Sequence, residues 1–118
     1  MKRRLRLRRR QDFARVIKAR RVYAGAGLLG FAVARSDGEI RIGVTTSRNI
    51  KGAVARNRAR RRLREVTRQV LLGEDSPLRT RGIGYDVVLI ARGPALELAQ
   101  ADLQAEARRL LERLAGTR

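Results

Sequence analysis

Seven arginines fall within thirteen residues, Arg56-Asn57-Arg58-Ala59-Arg60-Arg61-Arg62-Leu63-Arg64-Glu65-Val66-Thr67-Arg68, with a single acid among them. A guanidinium presents five N–H donors in a planar fork that matches the oxygens of a phosphate. On a wheel of about 100° per residue the segment divides into two flanks. Ala55, Ala59, Leu63, Val66 and Val70 share one side, while Asn57, Arg60, Arg61, Arg64 and Arg68 share the other. Like charges at i, i+3 and i+4 each cost an isolated helix a few tenths of a kcal/mol, and only Glu65 is near enough in sequence to offset them. The pattern therefore does not serve local helix stability. A phosphate-rich groove would turn the same repulsion into attraction along one rigid rod. The bland alternative is a solvated arginine face, since arginine favours helices; the density of charge and the amide of Asn57 weigh against it.

The rest of the chain offers little that could do covalent chemistry. There is no histidine to act as the usual general base and no cysteine for a disulfide or a thiolate metal site. The eleven acids are scattered, and Glu74-Asp75 falls in an expected turn. No catalytic residue and no metal site is expected in this chain.

Composition points the same way. A length of 118 residues with 43% apolar residues suits one domain with its own core, despite 34% charged residues. The net charge of +18 makes the compact state self-repelling unless a polyanion relieves it. Nucleic acid is the usual polyanion, because each neutralised phosphate releases counterions. Lys2, Lys18 and Lys51 are the only lysines. Codon usage in a GC-rich genome accounts for that ratio as well as phosphate binding does, but it leaves the net charge unexplained. MKRRLRLRRR is similar to the charged start of a signal peptide, yet no apolar stretch follows it, and no run of 18 apolar residues exists to cross a bilayer. A cytoplasmic protein is the simplest expectation.

The elements that would position the arginines read as follows. Residues 1–10 are expected to form a basic, mobile arm that orders on its partner. Asp12 is expected to cap a short helix carrying Phe13, Val16 and Ile17 on one face. Leu28 to Ala34 is an expected strand entered through Gly25 and Gly27, followed by a turn at Ser36-Asp37-Gly38. Ile40 to Thr46 is the next, with Ile40, Ile42 and Val44 opposite Arg41, Gly43 and Thr45. The unbroken run Asp86 to Ala91 predicts a strand buried on both faces. Between these strands the arginine helix runs from about Ala53 to Leu72, stopped by Gly73 and Pro77. A last helix is expected from Pro94 to about Ala115. Its acids Glu97, Asp102, Glu106 and Glu112 make it the face least suited to RNA.

Arg56-Asn57-Arg58 opening a helix, followed by Arg60-Arg61 and Arg64, resembles the bacterial ribonuclease P protein component. The resemblance extends over nearly the whole chain through Asp12-Phe13, Arg41-Ile42-Gly43-Val44, Gly52-Ala53-Val54 and Asp86-Val87-Val88. It implies an α/β (α+β) two-layer sandwich on residues 1–118. The implied sheet is mixed, of about four strands with three helices in the order α-β-β-β-α-β-α, and its βαβ crossover is left-handed. That hand goes against the usual rule. The implied partners are the ribonuclease P RNA, met by Arg48, Arg56, Asn57, Arg58, Arg60, Arg61 and Arg64, and precursor tRNA. Arg68 extends that set on the same flank. The 5′ leader of the precursor would lie in a cleft at Phe13, Ile17 and Phe31. The family often has a second aromatic where Ile17 stands, two lysines where Arg48-Asn49 stand, and Asn where Gly52 stands.

What the resemblance implies chemically is an endoribonuclease holoenzyme whose catalytic groups and Mg²⁺ lie mainly on the RNA, with no cofactor on the protein. The protein is expected to be a monomer alone, with no membrane or DNA partner. A ribosomal or RNA-chaperone protein would share the charge but would not distinguish leader-bearing from mature tRNA. A DNA-binding architectural protein lacks support, because no second helix follows a short turn as a helix-turn-helix requires. A membrane-surface role would need the apolar faces that the core uses.

Overall fold

The computed structural model describes residues 5–116. Four strands form one mixed sheet: β1 (Arg21–Ala24), β2 (Leu28–Arg35), β3 (Ile40–Thr46) and β4 (Gly84–Ala91), in the spatial order β1-β2-β4-β3. β2 runs antiparallel to both β1 and β4, whereas β3 and β4 are parallel, with Ile42 beside Val87 and Val44 beside Leu89. The crossover joining that parallel pair carries the arginine helix, α2 (Ala53–Val70), and a single-turn helix, α3 (Pro77–Thr80).

Alternation along the strands builds two apolar clusters. Leu28, Ala32, Ile42, Val44, Val87 and Leu89 face α2 and the last helix, α4 (Gln100–Gly116), in the main core. Val88, with Phe31, Val33 and Ile90 partly buried beside it, faces the first helix, α1 (Arg10–Ala19), through Val16 and Phe13. β4 is thus covered on both sides, as its unbroken apolar run predicts. Gly43 is required on the α1 side: a Cβ there would lie 2.4 Å from the Phe13 ring.

Three expectations need correction. Asp12 does not cap α1, which begins two residues earlier with Arg9 at the cap position; the Asp12 amide donates to the Arg9 carbonyl at 3.1 Å. The last helix does not run from Pro94, because Gly93–Leu96 form a 3₁₀ turn and α4 starts at Gln100. The basic arm is also shorter than expected. Leu7 is buried and its amide donates to the Ile42 carbonyl at 3.0 Å, and Arg10 already belongs to α1. Residues 1–4 of the expected arm lie outside the described residues.

Candidate nucleic-acid interface

The sheet sets α2 in place through Ala59, Leu63 and Val66, all buried against the main core. This is the apolar side of the wheel. Anchoring that side turns the opposite flank to solvent: Asn57, Arg58, Arg61 and Arg68 are exposed, and Arg56, Arg60 and Arg64 are half-buried. The helix is entered at Gly52, whose φ of 88° with ψ of 145° is a conformation that an L side chain does not hold without strain. Glycine therefore suits this entry where the family often has asparagine. No side chain caps the first turn and no acid lies in it, so the positive end of the helix dipole adds to the arginine charge.

Neutralisation on this flank is slight. Arg68 pairs with Glu65 at 2.6 Å, which raises the Arg68 pKa and lowers that of Glu65. Arg60 donates to the Asn57 side-chain oxygen. Arg64 has its pKa lowered, by burial first and then by the positive charges of Arg6 and Arg60. Arg62 points the other way: its guanidinium donates to the carbonyls of Ala95 at 2.7 Å and Leu98 at 2.5 Å, tying α2 to the 3₁₀ turn. One helix thus carries arginines of two kinds, distinguished by what their donors meet.

A second feature is an open groove of about 800 Å³ at the end of the sheet nearest the C-terminus of α1. Leu29, Thr45 and Ile90 line it from the α1 side of the sheet, with Ile17 from α1. Arg48, Asn49 and Arg92 supply polar groups from the loops. Of the three residues expected to form a cleft, only Ile17 lines this groove. Phe13 and Phe31 sit in the cluster that joins α1 to the sheet, each partly buried. Arg48, expected with the arginines of α2, also lines the groove.

Two buried carboxylates organise these surfaces. Glu106, one of the acids expected to make its helix the face least suited to RNA, is buried. It accepts from the amides of Gly27 at 3.0 Å and Leu28 at 3.3 Å and from the Tyr23 hydroxyl at 3.2 Å. It thereby holds the β1–β2 loop that walls the groove. A Cβ at Gly25 would stand 2.1 Å from its Oε1, so glycine is needed for this approach. The signal was present: Glu106 stands with Leu103, Ala107 and Leu110 on the apolar stripe of the helix. Asp86 is buried on the α1 side and receives hydrogen bonds from Arg15 at 2.6 Å, from Arg41 at 3.0 and 3.1 Å, and from Arg35 at 3.1 Å. Burial pushes its pKa up, but hydrogen bonds from Arg41 and Arg15 outweigh that effect and hold it below the usual carboxylate range.

Among the described residues no group of three or more acidic side chains could hold a metal ion, and no helix is long and apolar enough to cross a membrane.

Comparison with known proteins agrees with this geometry. A family model described as ribonuclease P matches residues 1–115. The chain is 42% identical over 115 residues to the ribonuclease P protein component of Roseiflexus castenholzii, covering 96% of this chain and 88% of that one. It is 46% identical over 89 residues to the protein of the same name from Ruegeria pomeroyi, covering 73% of this chain and 66% of that one. The solved RNase P protein of Staphylococcus aureus shares the fold, with a TM-score of 0.70 at 22% identity over 92% of this chain and 93% of that one. With its sheet order, its arginine helix and these relatives in agreement, the chain belongs to the ribonuclease P protein family.

Proposed function

We propose that this chain is the protein subunit of a ribonuclease P ribonucleoprotein, which removes the 5′ leader of precursor tRNA by endonucleolytic cleavage. In this reading Arg56, Asn57, Arg58, Arg60, Arg61 and Arg64 dock onto the catalytic RNA, with Arg68 at the far end of the same flank. The groove beside Ile17 receives the single-stranded leader. The observation that carries the reading is an arginine flank held rigidly outward with one carboxylate against it. Family membership supports the assignment to this holoenzyme.

The groove suits a single strand because an apolar floor and a cationic rim serve its two parts. Bases pack on Leu29, Ile90 and Ile17, while Arg48 and Arg92 meet phosphates and Thr45 and Asn49 exchange hydrogen bonds. No aromatic side chain lines it among the described residues, so base preference in the leader should be weak. Mg²⁺ held mainly by the RNA supplies the activated water and charge stabilisation. The protein screens phosphate repulsion and keeps the leader in register. It acts in the cytoplasm, as a monomer until it meets RNA.

Reconstitution with a bacterial ribonuclease P RNA at low Mg²⁺ tests the reading. The protein should stimulate cleavage of a precursor tRNA, and Arg60→Ala combined with Arg64→Ala should remove most of that stimulation. With the RNA present, leader-bearing tRNA should bind tighter than mature tRNA. Equal binding of the two, or no stimulation, would contradict the assignment.

A further inference from the structure

The segment preceding α1 supplies a side chain to the arginine flank. Arg6 forms an isolated parallel bridge with Ile42, on the edge of β3 that no other strand covers among the described residues. Residues paired across a ladder present their side chains on the same face of the sheet, and the next residue along points to the opposite face. Ile42 lies in the main core with Leu63 and Val66 of α2. Arg6 is therefore directed to the α2 side and Leu7 to the α1 side. The burial of Leu7 in the cluster of Val16 and Val88 agrees with that alternation. A leucine, 4% exposed, thus fixes the backbone next to an exposed arginine.

Arg6 meets a positive charge on α2. The field of Arg6 reaches Arg64 strongly enough to help hold its pKa down, behind burial and ahead of Arg60. Among the described residues, no carboxylate lies within ion-pair distance of Arg6, Arg60 or Arg64. Cations brought together from two segments, with the backbone of one pinned by a buried side chain, form a preorganised receptor for an oxyanion.

We propose that Arg6, Arg60 and Arg64 form one composite phosphate-binding site for folded RNA, assembled from the edge of β3 and from α2. The proposal rests on the reading of α2 as the RNA-docking helix and adds to it a partner segment. Pinned in advance, Arg6 joins the docking surface without first having to be ordered.

The test is a double-mutant cycle of Arg6→Ala and Arg64→Ala in the full chain, reading the dissociation constant for a bacterial ribonuclease P RNA transcript across a salt series. Each single variant should bind roughly tenfold more weakly, the loss of one hydrogen bond to a charged group. The pair should fall well short of the roughly hundredfold loss expected of independent contacts. It should also flatten the log–log salt slope by about 0.7–0.9, the value for a single phosphate. Arg108→Ala removes the same charge from α4, outside the proposed site, and should leave binding within about twofold of the parent, because an exposed charge that makes no direct contact is screened by salt. Leu7→Ala keeps every charge but frees the segment, and should weaken binding several-fold. Fully multiplicative losses, an Arg6→Ala variant that binds like Arg108→Ala, or unchanged binding by Leu7→Ala would each overturn the composite site, while a loss in Arg64→Ala alone would leave docking by α2 standing. No loss in Arg64→Ala would overturn both.

Discussion

Arginine gathers at two places in this molecule, around Asp86 and along α2, and the two gatherings behave in opposite ways. Around Asp86, three guanidinium groups converge on one buried carboxylate, with its two oxygens taken by Arg15, Arg35 and Arg41. Along α2, one acid faces the whole flank, and it is shared between Arg68 and Gln69. The first cluster uses its donors internally and joins β2, β3 and α1 to β4. The second leaves its donors turned to solvent while the apolar stripe beneath holds the helix still. What separates a structural arginine from a binding one is therefore how far its donors are already taken by acceptors of the protein itself, carboxylates around Asp86 and backbone carbonyls at Arg62, which the number of arginines does not reveal.

The comparison breaks most readily at Asp86. Asp86→Asn should lower unfolding free energy by about 2–3 kcal/mol, since three arginines lose a charged acceptor. RNA affinity should stay near that of the parent. Denaturant unfolding paired with an RNA titration checks both, and a variant as stable as the parent would mean the cluster is not structural. The same carboxylate gives a pH dependence. Its folded-state pKa lies below its unfolded value, so the stability it contributes is complete above about pH 4, the ordinary Asp range. That stability is lost as pH falls through the folded-state pKa. Unfolding free energies measured between pH 5 and pH 2.5 should fall more steeply for the parent than for Asp86→Asn.

Arg62 sharpens the contrast within one helix. Arg62→Ala should cost about 1–2 kcal/mol of stability through two lost hydrogen bonds to backbone carbonyls, with RNA affinity changed far less than by Arg61→Ala. The smallest effect belongs to Arg68, already paired with Glu65 at the surface. Arg68→Ala should change stability by less than about 0.5 kcal/mol and weaken RNA binding less than Arg61→Ala does. A ranking in which Arg68 matters more than Arg61 would show that the internal ion pair does not compete with RNA.

How much of this was legible in the sequence depended on whether local pattern or distant contact decided the outcome. The two flanks of α2 and the bounds of β3 came through because a 3.6-residue stripe and a two-residue alternation are written in neighbouring residues. The start of α4 did not. Leu96, Ala99 and Leu103 continue a helical stripe, but Arg62, more than thirty residues earlier in the chain, takes the carbonyls of Ala95 and Leu98. Those carbonyls then accept from a side chain outside the helix that the stripe implies. Glu106 and Asp86 were missed as organisers for the same reason, since their partners sit 79 and 71 residues away in Gly27 and Arg15. β1 is four residues long, too short for alternation to stand out. Of the three expected cleft residues Ile17 lines the groove, while Phe13 packs on Gly43 and joins Phe31 in the cluster beneath α1.

The most direct measurement of the central claim is the salt dependence of binding between the parent chain and a ribonuclease P RNA. An outward, unneutralised flank predicts a linear log–log plot with a slope of about −0.7 to −0.9 for each phosphate neutralised. With several arginines engaged, the total should be several times that value. Replacing Arg60, Arg61 and Arg64 by glutamine should remove much of the slope and leave the fold intact. A slope near zero in the parent, or one unchanged by those three replacements, would contradict the account.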